Sequence, residues 1–306
     1  MRFLPFLLLV ACLGPDTGEE TDPDSDSSNI PCEDRDADAD GVNACDDCDD
    51  ADAGVFPGAP ERCNGLDDDC DGDLHPDELE TDEAGVPTCA SCDAAGFWEI
   101  SRDTSDAQLG DRFADAMVGL RCNYSTTAAW MFTRLDVEAS QVECVYTGRR
   151  TTINGQRPDP ETDMNVEHTW PQSDGAGDLP KKCDLHHLFP TDVDANQQRA
   201  AYPFGEVQSG SRWSEGGSEL GNDSSGERVF EPRDVHKGNV ARAMLYMSME
   251  YDWSLSADQV ELFVEWNALD PIDTAERERS LNIGEEQSFA NPMVVCPNVV
   301  ERVYGD

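Results

Sequence analysis

Asn165-Val166-Glu167-His168-Thr169-Trp170-Pro171-Gln172-Ser173, followed by Cys183-Asp184-Leu185-His186-His187-Leu188-Phe189-Pro190-Thr191-Asp192-Val193-Asp194-Ala195-Asn196-Gln197-Gln198-Arg199, carries most of what this chain says about its fold and chemistry. The chain has five histidines, and three of them, His168, His186 and His187, fall in these two segments. The first segment reads as a strand ending ahead of Pro171, the second as a strand running into a short helix that bears Asn196 and Arg199. Neighbours on a regular strand point to opposite faces, so Glu167 and His168 converge on one centre only at an irregular strand end. Neither His-Glu-x-x-His nor a Cys/His zinc spacing occurs, which argues against a zinc protease, and no Gly-x-Ser-x-Gly appears. A carboxylate and an imidazole in sequence, with an amide oxygen on a downstream helix, are the parts for metal-assisted phosphodiester hydrolysis. The metal offsets charge on the phosphate while the imidazole takes a proton from the attacking water.

Residues 96–306 have the composition of a mixed globular domain of α+β class. A helix is expected over 112–121 and a strand over 141–146 that turns at Thr147-Gly148. Val240, Ala243, Met244, Met247 and Tyr251 sit at helical spacing within 239–253. Ser256-Ala257-Asp258-Gln259 fits a capping box ahead of Val260, Leu262, Phe263 and Trp266, and Pro271 closes that helix.

Around the two opening segments the chain resembles the endonuclease I family. The match continues through Ala201-Tyr202-Pro203-Phe204-Gly205-Glu206-Val207, Phe230-Glu231-Pro232-Arg233-Asp234, Lys237-Gly238-Asn239-Val240-Ala241-Arg242-Ala243 and Asn291-Pro292. The resemblance implies a ββα-metal (His-Me finger) core surrounded by helices. It also implies His168 as general base, Glu167 and Asn196 as ligands of one Mg2+, and products bearing 5′-phosphate and 3′-hydroxyl ends. Asn196 and Arg199 are three apart on the predicted helix and share a face, so Arg199 is expected to clamp a phosphate beside the metal. Asp184, His186 and His187 are expected to orient or pack behind the site.

The N-terminal third is different. The whole chain carries a net charge of −44; residues 1–95 hold 3 Lys/Arg against 28 Asp/Glu, and 96–306 hold 18 against 37. Such charge repels nucleic acid at long range, so a nuclease needs a local basic patch, for which Arg149, Arg150, Lys181, Lys182, Arg199, Arg233 and Arg242 are the candidates. Arg2 and the apolar run 3–10 read as an export signal, and Leu9-Val10-Ala11-Cys12 resembles a lipobox with Cys12 acylated. With Cys12 consumed, eleven of the twelve cysteines remain, an odd number that leaves one thiol over in an oxidising compartment. Residues 13–31 are polar and acidic and read as a disordered tether, and 81–95 as a second connector pinned by Cys89 and Cys92.

Between these lies a Cys/Asp-rich block, 32–80. Asp67-Asp68-Asp69-Cys70-Asp71-Gly72 with Glu78 satisfies a calcium-loop pattern, in which Asp67, Asp69, Asp71 and Glu78 supply hard oxygens. Asp36-Ala37-Asp38-Ala39-Asp40-Gly41 with the distal Asp47 is a second run. Flanking amphipathic helices are missing, so this is not an EF-hand; the block resembles a metal-binding repeat of bacterial surface proteins. The reading is a monomeric outer-membrane lipoprotein with a structural Ca2+ stalk and a sequence-tolerant nuclease that holds DNA or RNA by its backbone. The alternative is a calcium-dependent adhesion lipoprotein whose nuclease-like domain is inactive, favoured by the acidity and opposed by the intact Glu167, His168 and Asn196.

Overall fold

The structure is a computed structural model that describes residues 31–63, 66–74, 89–296 and 298–305. Cys12, the tether up to residue 30, Glu78 and positions 81–88 of the connector lie outside the described residues. The chain divides into two compact units, 31–60 with 68–71, and 61–67 with 72–305.

The first unit has little regular structure beyond a short turn of helix at Cys32–Asp34. It buries only Val55, Ala59 and the carboxylate residue Asp68. So small a core cannot offset chain entropy alone, and disulfides Cys32–Cys45 and Cys48–Cys70 cross-link it.

The second unit is a mixed helix and sheet domain. Four helices open it, α1 (Ala90–Ala94), α2 (Trp98–Asp103), α3 (Asp106–Ala116) and α4 (Tyr124–Trp130). The helix expected at 112–121 is therefore earlier: Leu109, Phe113 and Met117 form its buried face, and Gly119, at φ 93°, turns the chain away. A small antiparallel sheet follows, β1 (Val137–Glu138), β2 (Gln141–Glu143) and β3 (Arg150–Thr152). The strand expected to reach residue 146 stops at Glu143, because Cys144 closes a turn by donating to Arg149 O and Val145 donates to Pro190 O.

Next come β4 (Met164–His168) and β5 (Leu188–Asp192), paired antiparallel with Glu167 opposite Phe189 and His168 opposite Leu188. Helix α5 (Val193–Arg199) leaves β5 directly. A three-stranded sheet, β6 (Ser209–Glu215), β7 (Ser218–Asn222) and β8 (Arg228–Glu231), lies beyond it. Its first hairpin turns at Gly216-Gly217, both at positive φ, as a two-residue loop of matching twist requires.

The core is organised on α6 (Lys237–Glu250), apolar nearly all round through Val240, Ala241, Met244, Leu245 and Met247. At its start Gly238 lies so close to Asp270 that a Cβ would collide with that carbonyl oxygen. Helix α7 (Ala257–Leu269) begins with the expected capping box between Ser256 and Gln259 and buries Phe263 and Trp266. Helices α8 (Thr274–Gln287), α9 (Pro292–Val295) and α10 (Val299–Tyr304) complete the unit. Cys92–Cys296 ties α1 to the end of α9, while Cys63–Cys89 and Cys122–Cys183 close shorter loops. The connector cysteines thus pair not with each other but with Cys63 and Cys296. Among the described residues the cysteine outside any disulfide is Cys144, which is buried.

Candidate active site

Glu167, His168 and Asn196 border one open cavity of about 260 Å3, together with Gln172 and Ala200. The antiparallel pair sets Glu167 and His168 at the end of β4, and α5 carries Asn196 across from them. The two neighbours take different surroundings, as the strand's alternation dictates. Glu167 runs inward to Tyr146 and Arg199; His168 lies against Tyr124 and His187, at ring separations of 5.6 and 5.5 Å. They meet only where the strand ends.

His168 Nε2 lies 3.1 Å from the carbonyl oxygen of Lys182, and Nδ1 lies 3.3 Å from the side-chain amide of Gln172. A carbonyl only accepts, so the proton sits on Nε2, and Nδ1 keeps its lone pair. Burial, with the neighbouring His187 and Lys182, pushes the imidazole down to about 3, so it is neutral at neutral pH.

Glu167, 2% exposed, accepts a hydrogen bond from Tyr146 Oη at 2.9 Å on Oε1, and the same oxygen is 3.0 Å from Arg199 Nε. Burial pushes its carboxyl up to about 7 against the opposing pull of Arg199. Burial also raises the Tyr146 phenol well above its ordinary value, which keeps it a donor. Asn196 spends its Nδ2 on Asn165 Oδ1 (2.7 Å) and Val166 O (3.1 Å), which fixes the amide with Oδ1 as the acceptor left over. Glu167 Oε2 and Asn196 Oδ1 take no hydrogen bond among the described residues. Two oxygens of this kind beside a cavity are a donor set suited to a hard divalent cation.

Arg199, expected to clamp a phosphate, is instead engaged within the protein. It is 1% exposed, donates to the carbonyls of Ala200, Tyr202 and Thr169, stacks 4.2 Å over Phe204 and faces Glu167. It is a strut for the carboxylate. Asp184 caps the turn at Leu185–His187 and accepts the hydroxyls of Tyr246 and Tyr251, both at 2.8 Å. His186 bonds Phe289 O and His187 bonds Lys181 O, so both are buried packing residues behind the site. Tyr146, Gln172 and the Lys182 carbonyl were not singled out from sequence; a tyrosine at a strand end and a main-chain oxygen leave no motif.

The expected basic patch is mostly consumed. Arg149 pairs with Asp163 and Asp192, Arg150 and Arg233 with Glu143, and Arg242 is buried against Glu276. Lys181 and Lys182 remain, with no ion pair among the described residues. Their ammonium groups sit 5.2 Å from the Trp253 ring and 5.1 Å from the Tyr124 ring, on the flank of His168.

Profile comparison matches the endonuclease I family over residues 121–298. The chain belongs to the endonuclease I family. An extracellular ribonuclease of Bacillus subtilis (strain 168) is 32% identical over 166 residues, 46% of this chain and 54% of that protein. An extracellular deoxyribonuclease of Aeromonas hydrophila is 36% identical over 111 residues, 36% of this chain and 48% of its own length. A periplasmic deoxyribonuclease of the same organism is likewise 36% identical over 111 residues, covering 36% of this chain and 46% of that protein. The chain spans about half the length of the curated relatives it matches. The family's stretch takes in the whole β4–β5–α5 segment and stops short of α10.

A metal-binding motif of MopE type matches 47–76. In the first unit, Asp36, Asp38 and Asp40 bring carboxylate oxygens within 4.8 Å of one another. Asp36 is held by Ala39 and Gly41 amides at 2.7 and 3.1 Å. Oδ2 of Asp38, Asp40 and Asp47 are shielded from water without a hydrogen-bond partner. Gly41 and Gly72, the glycines of the two Asp runs, share a left-handed φ of 100° and 99°. In the second run Asp67 Oδ2 accepts from Gly72 N at 2.9 Å, and Asp69 Oδ1 from Asp71 N at 3.1 Å.

Proposed function

We propose that this chain is an exported, divalent-metal-dependent endonuclease that hydrolyses DNA or RNA phosphodiesters with little regard for sequence and leaves 5′-phosphate ends. The observation that carries this reading is the gathering of Glu167, His168 and Asn196 around one cavity, with His168 Nε2 tied to the Lys182 carbonyl. That tie fixes the tautomer in which Nδ1 is the base; Nδ1 accepts from the Gln172 amide at 3.3 Å, a contact that the attacking water replaces before it gives up its proton. Glu167 and Asn196 would hold one Mg2+ through Oε2 and Oδ1. Bound there, the ion supplies charge stabilisation for the phosphate. Tyr146 and Arg199 keep the carboxylate in place, and the lysine pair at 181–182 meets the substrate backbone, which carries no base information. The ββα-metal description fits the order of β4, β5 and α5.

The relatives' names cover both ribonuclease and deoxyribonuclease, and extracellular and periplasmic sites, which supports export and leaves both nucleic acids as substrates. The Cys/Asp-rich block 32–80 is read as a structural Ca2+ module, through Asp36, Asp38, Asp40 and Asp47 and through Asp67, Asp69, Asp71 and Glu78. Acylated Cys12 would hold the monomer at the outer membrane; mass spectrometry finding an unmodified N-terminus elsewhere sinks that part. The activity is tested by plasmid nicking with Mg2+, with and without EDTA. Nicking that EDTA abolishes supports the nuclease. A chain that binds Ca2+ and never nicks returns the adhesion reading.

A further inference from the structure

The active-site cavity shares a wall, at Pro171 and Ala201, with a second cavity of about 220 Å3. Trp170, Tyr202, Phe204 and Leu255 give that second cavity its apolar surface, and Gln259 stands at its edge. We infer that it is a subsite for one unpaired nucleobase next to the scissile phosphate, which makes single-stranded nucleic acid the preferred substrate. The inference rests on the nuclease reading and sharpens it to a substrate class.

The chemistry of the lining decides the occupant. The volume falls below the roughly 300 to 1,000 Å3 of sites for drug-sized ligands, and it suits a single flat heterocycle. A phosphate does not belong here: the lining cation is Arg199, 1% exposed and spent on carbonyls and Glu167, while Asp174 adds a negative charge. An uncharged ring does. Trp170 is a fixed wall, its Nε1 donating to Asp174 O at 3.0 Å and its ring braced against Trp253 at 4.7 Å. Tyr202 is the accessible aromatic, 39% exposed. Gln259 has its Oε1 engaged by Ser256, so its amide hydrogens remain for a ring nitrogen or carbonyl.

Position supplies the second argument. Asn196 is on α5, and the chain runs from that helix through Ala200 and Ala201, which border the first cavity, into Tyr202, which borders the second. Trp170 likewise follows Glu167 and His168 out of β4. A phosphate at the first cavity therefore places a neighbouring nucleotide beside the second. Bases in a duplex are stacked and cannot enter a pocket without being extruded, at a cost that a single strand does not bear. The third argument is charge. At −44 the chain repels a polyanion at long range, and stacking on aromatics is a sequence-tolerant contribution that offsets this.

The test uses the full chain with Mg2+ and single-stranded oligonucleotides of one cleavable site, either intact or carrying one abasic residue beside the cleaved bond. The wild type is expected to show a KM roughly tenfold higher on the abasic substrate, the order of one base–aromatic stack. Tyr202→Ala should raise KM on the intact substrate by a similar factor with kcat little changed, and should be indifferent to the abasic residue. Tyr202→Phe, which keeps the ring, should restore both the affinity and the discrimination. Equal sensitivity of wild type and Tyr202→Ala to the abasic residue overturns the subsite. So does faster cleavage of duplex than of single strand by the wild type. A wild type that cleaves no oligonucleotide at all overturns the nuclease reading itself, a result distinct from either.

Discussion

The main-chain carbonyl of Lys182 accepts the Nε2 proton of His168 at 3.1 Å, and so a residue fourteen positions downstream sets which imidazole nitrogen carries the lone pair. The contact is made by backbone, so it survives any substitution at position 182 that keeps the turn at Lys181–Cys183.

Removal of the imidazole should therefore separate from removal of the oxygens. His168→Ala is expected to bind Mg2+ and nucleic acid nearly as the wild type does, yet to cleave roughly 100-fold to 10,000-fold more slowly. Glu167→Ala and Asn196→Ala should lose metal affinity as well as turnover, because ligands act in the ground and transition states alike. Metal titration and single-turnover rates on the three variants decide this; near wild-type cleavage by His168→Ala contradicts the assignment.

The Glu167–Arg199 pair should matter to folding as much as to catalysis. Arg199→Met leaves a buried carboxylate without its cation and three carbonyls without a donor. Breaking one side of such a pair costs about 3 to 5 kcal/mol. Adding Glu167→Gln to Arg199→Met should recover part of that stability in urea denaturation while activity stays lost. No recovery in the double variant would mean that the carbonyl contacts, not the carboxylate, carry the arginine's effect.

Glu250 gives the stability a pH dependence. Burial first, and the charge of Asp184 second, push its carboxyl up to about 8 from an ordinary 4.5. The folded chain then keeps a proton that the unfolded chain releases. The stability from this group is fully present below about pH 4.5 and is lost as pH rises through about 8. Glu250→Gln should leave the melting temperature unchanged at acid pH and raise it relative to wild type above about pH 8. A variant that is less stable across that range would show a carboxylate usefully paired.

The acidic unit should respond to Ca2+. The expectation is binding at millimolar or tighter affinity, seen by calorimetry on the oxidised protein, with protection of the unit from proteolysis. Asp38→Asn together with Asp40→Asn should remove two oxygens whose partners are missing and weaken that binding. An unchanged heat of binding in the double variant would place the ion elsewhere.

Much of the site was legible because its residues are close in sequence. Glu167 and His168 are adjacent, Asn196 follows on the next helix, and Pro171 marks where the strand releases them. The capping box at Ser256 is equally local, a pattern of four residues. The burial of Arg199 was not legible, because its spacing from Asn196 says which face of α5 it shares but not whether that face is covered. The helix is only seven residues long, and Ala200, at φ 46°, turns the chain back so that Arg199 ends beneath it. The helix boundary at α3 was missed for a related reason: the apolar series Leu109, Phe113, Met117 is plain in the sequence, but the helix already ends at Ala116, where Met117 leaves helical backbone at ψ 52°. Disulfide partners were not legible at all. Cys92 and Cys296 are 204 positions apart, and only the packing of α1 and α9 brings them together.

That last bond has a consequence outside the fold. A protease cuts a folded chain at exposed loops, such as the turn at 223–226. Cys92–Cys296 encloses that turn along with β4, β5 and α5, so a single cut there yields two pieces that stay covalently joined, each half held at the other's side. Under proteolysis such a chain accumulates nicks rather than shedding fragments.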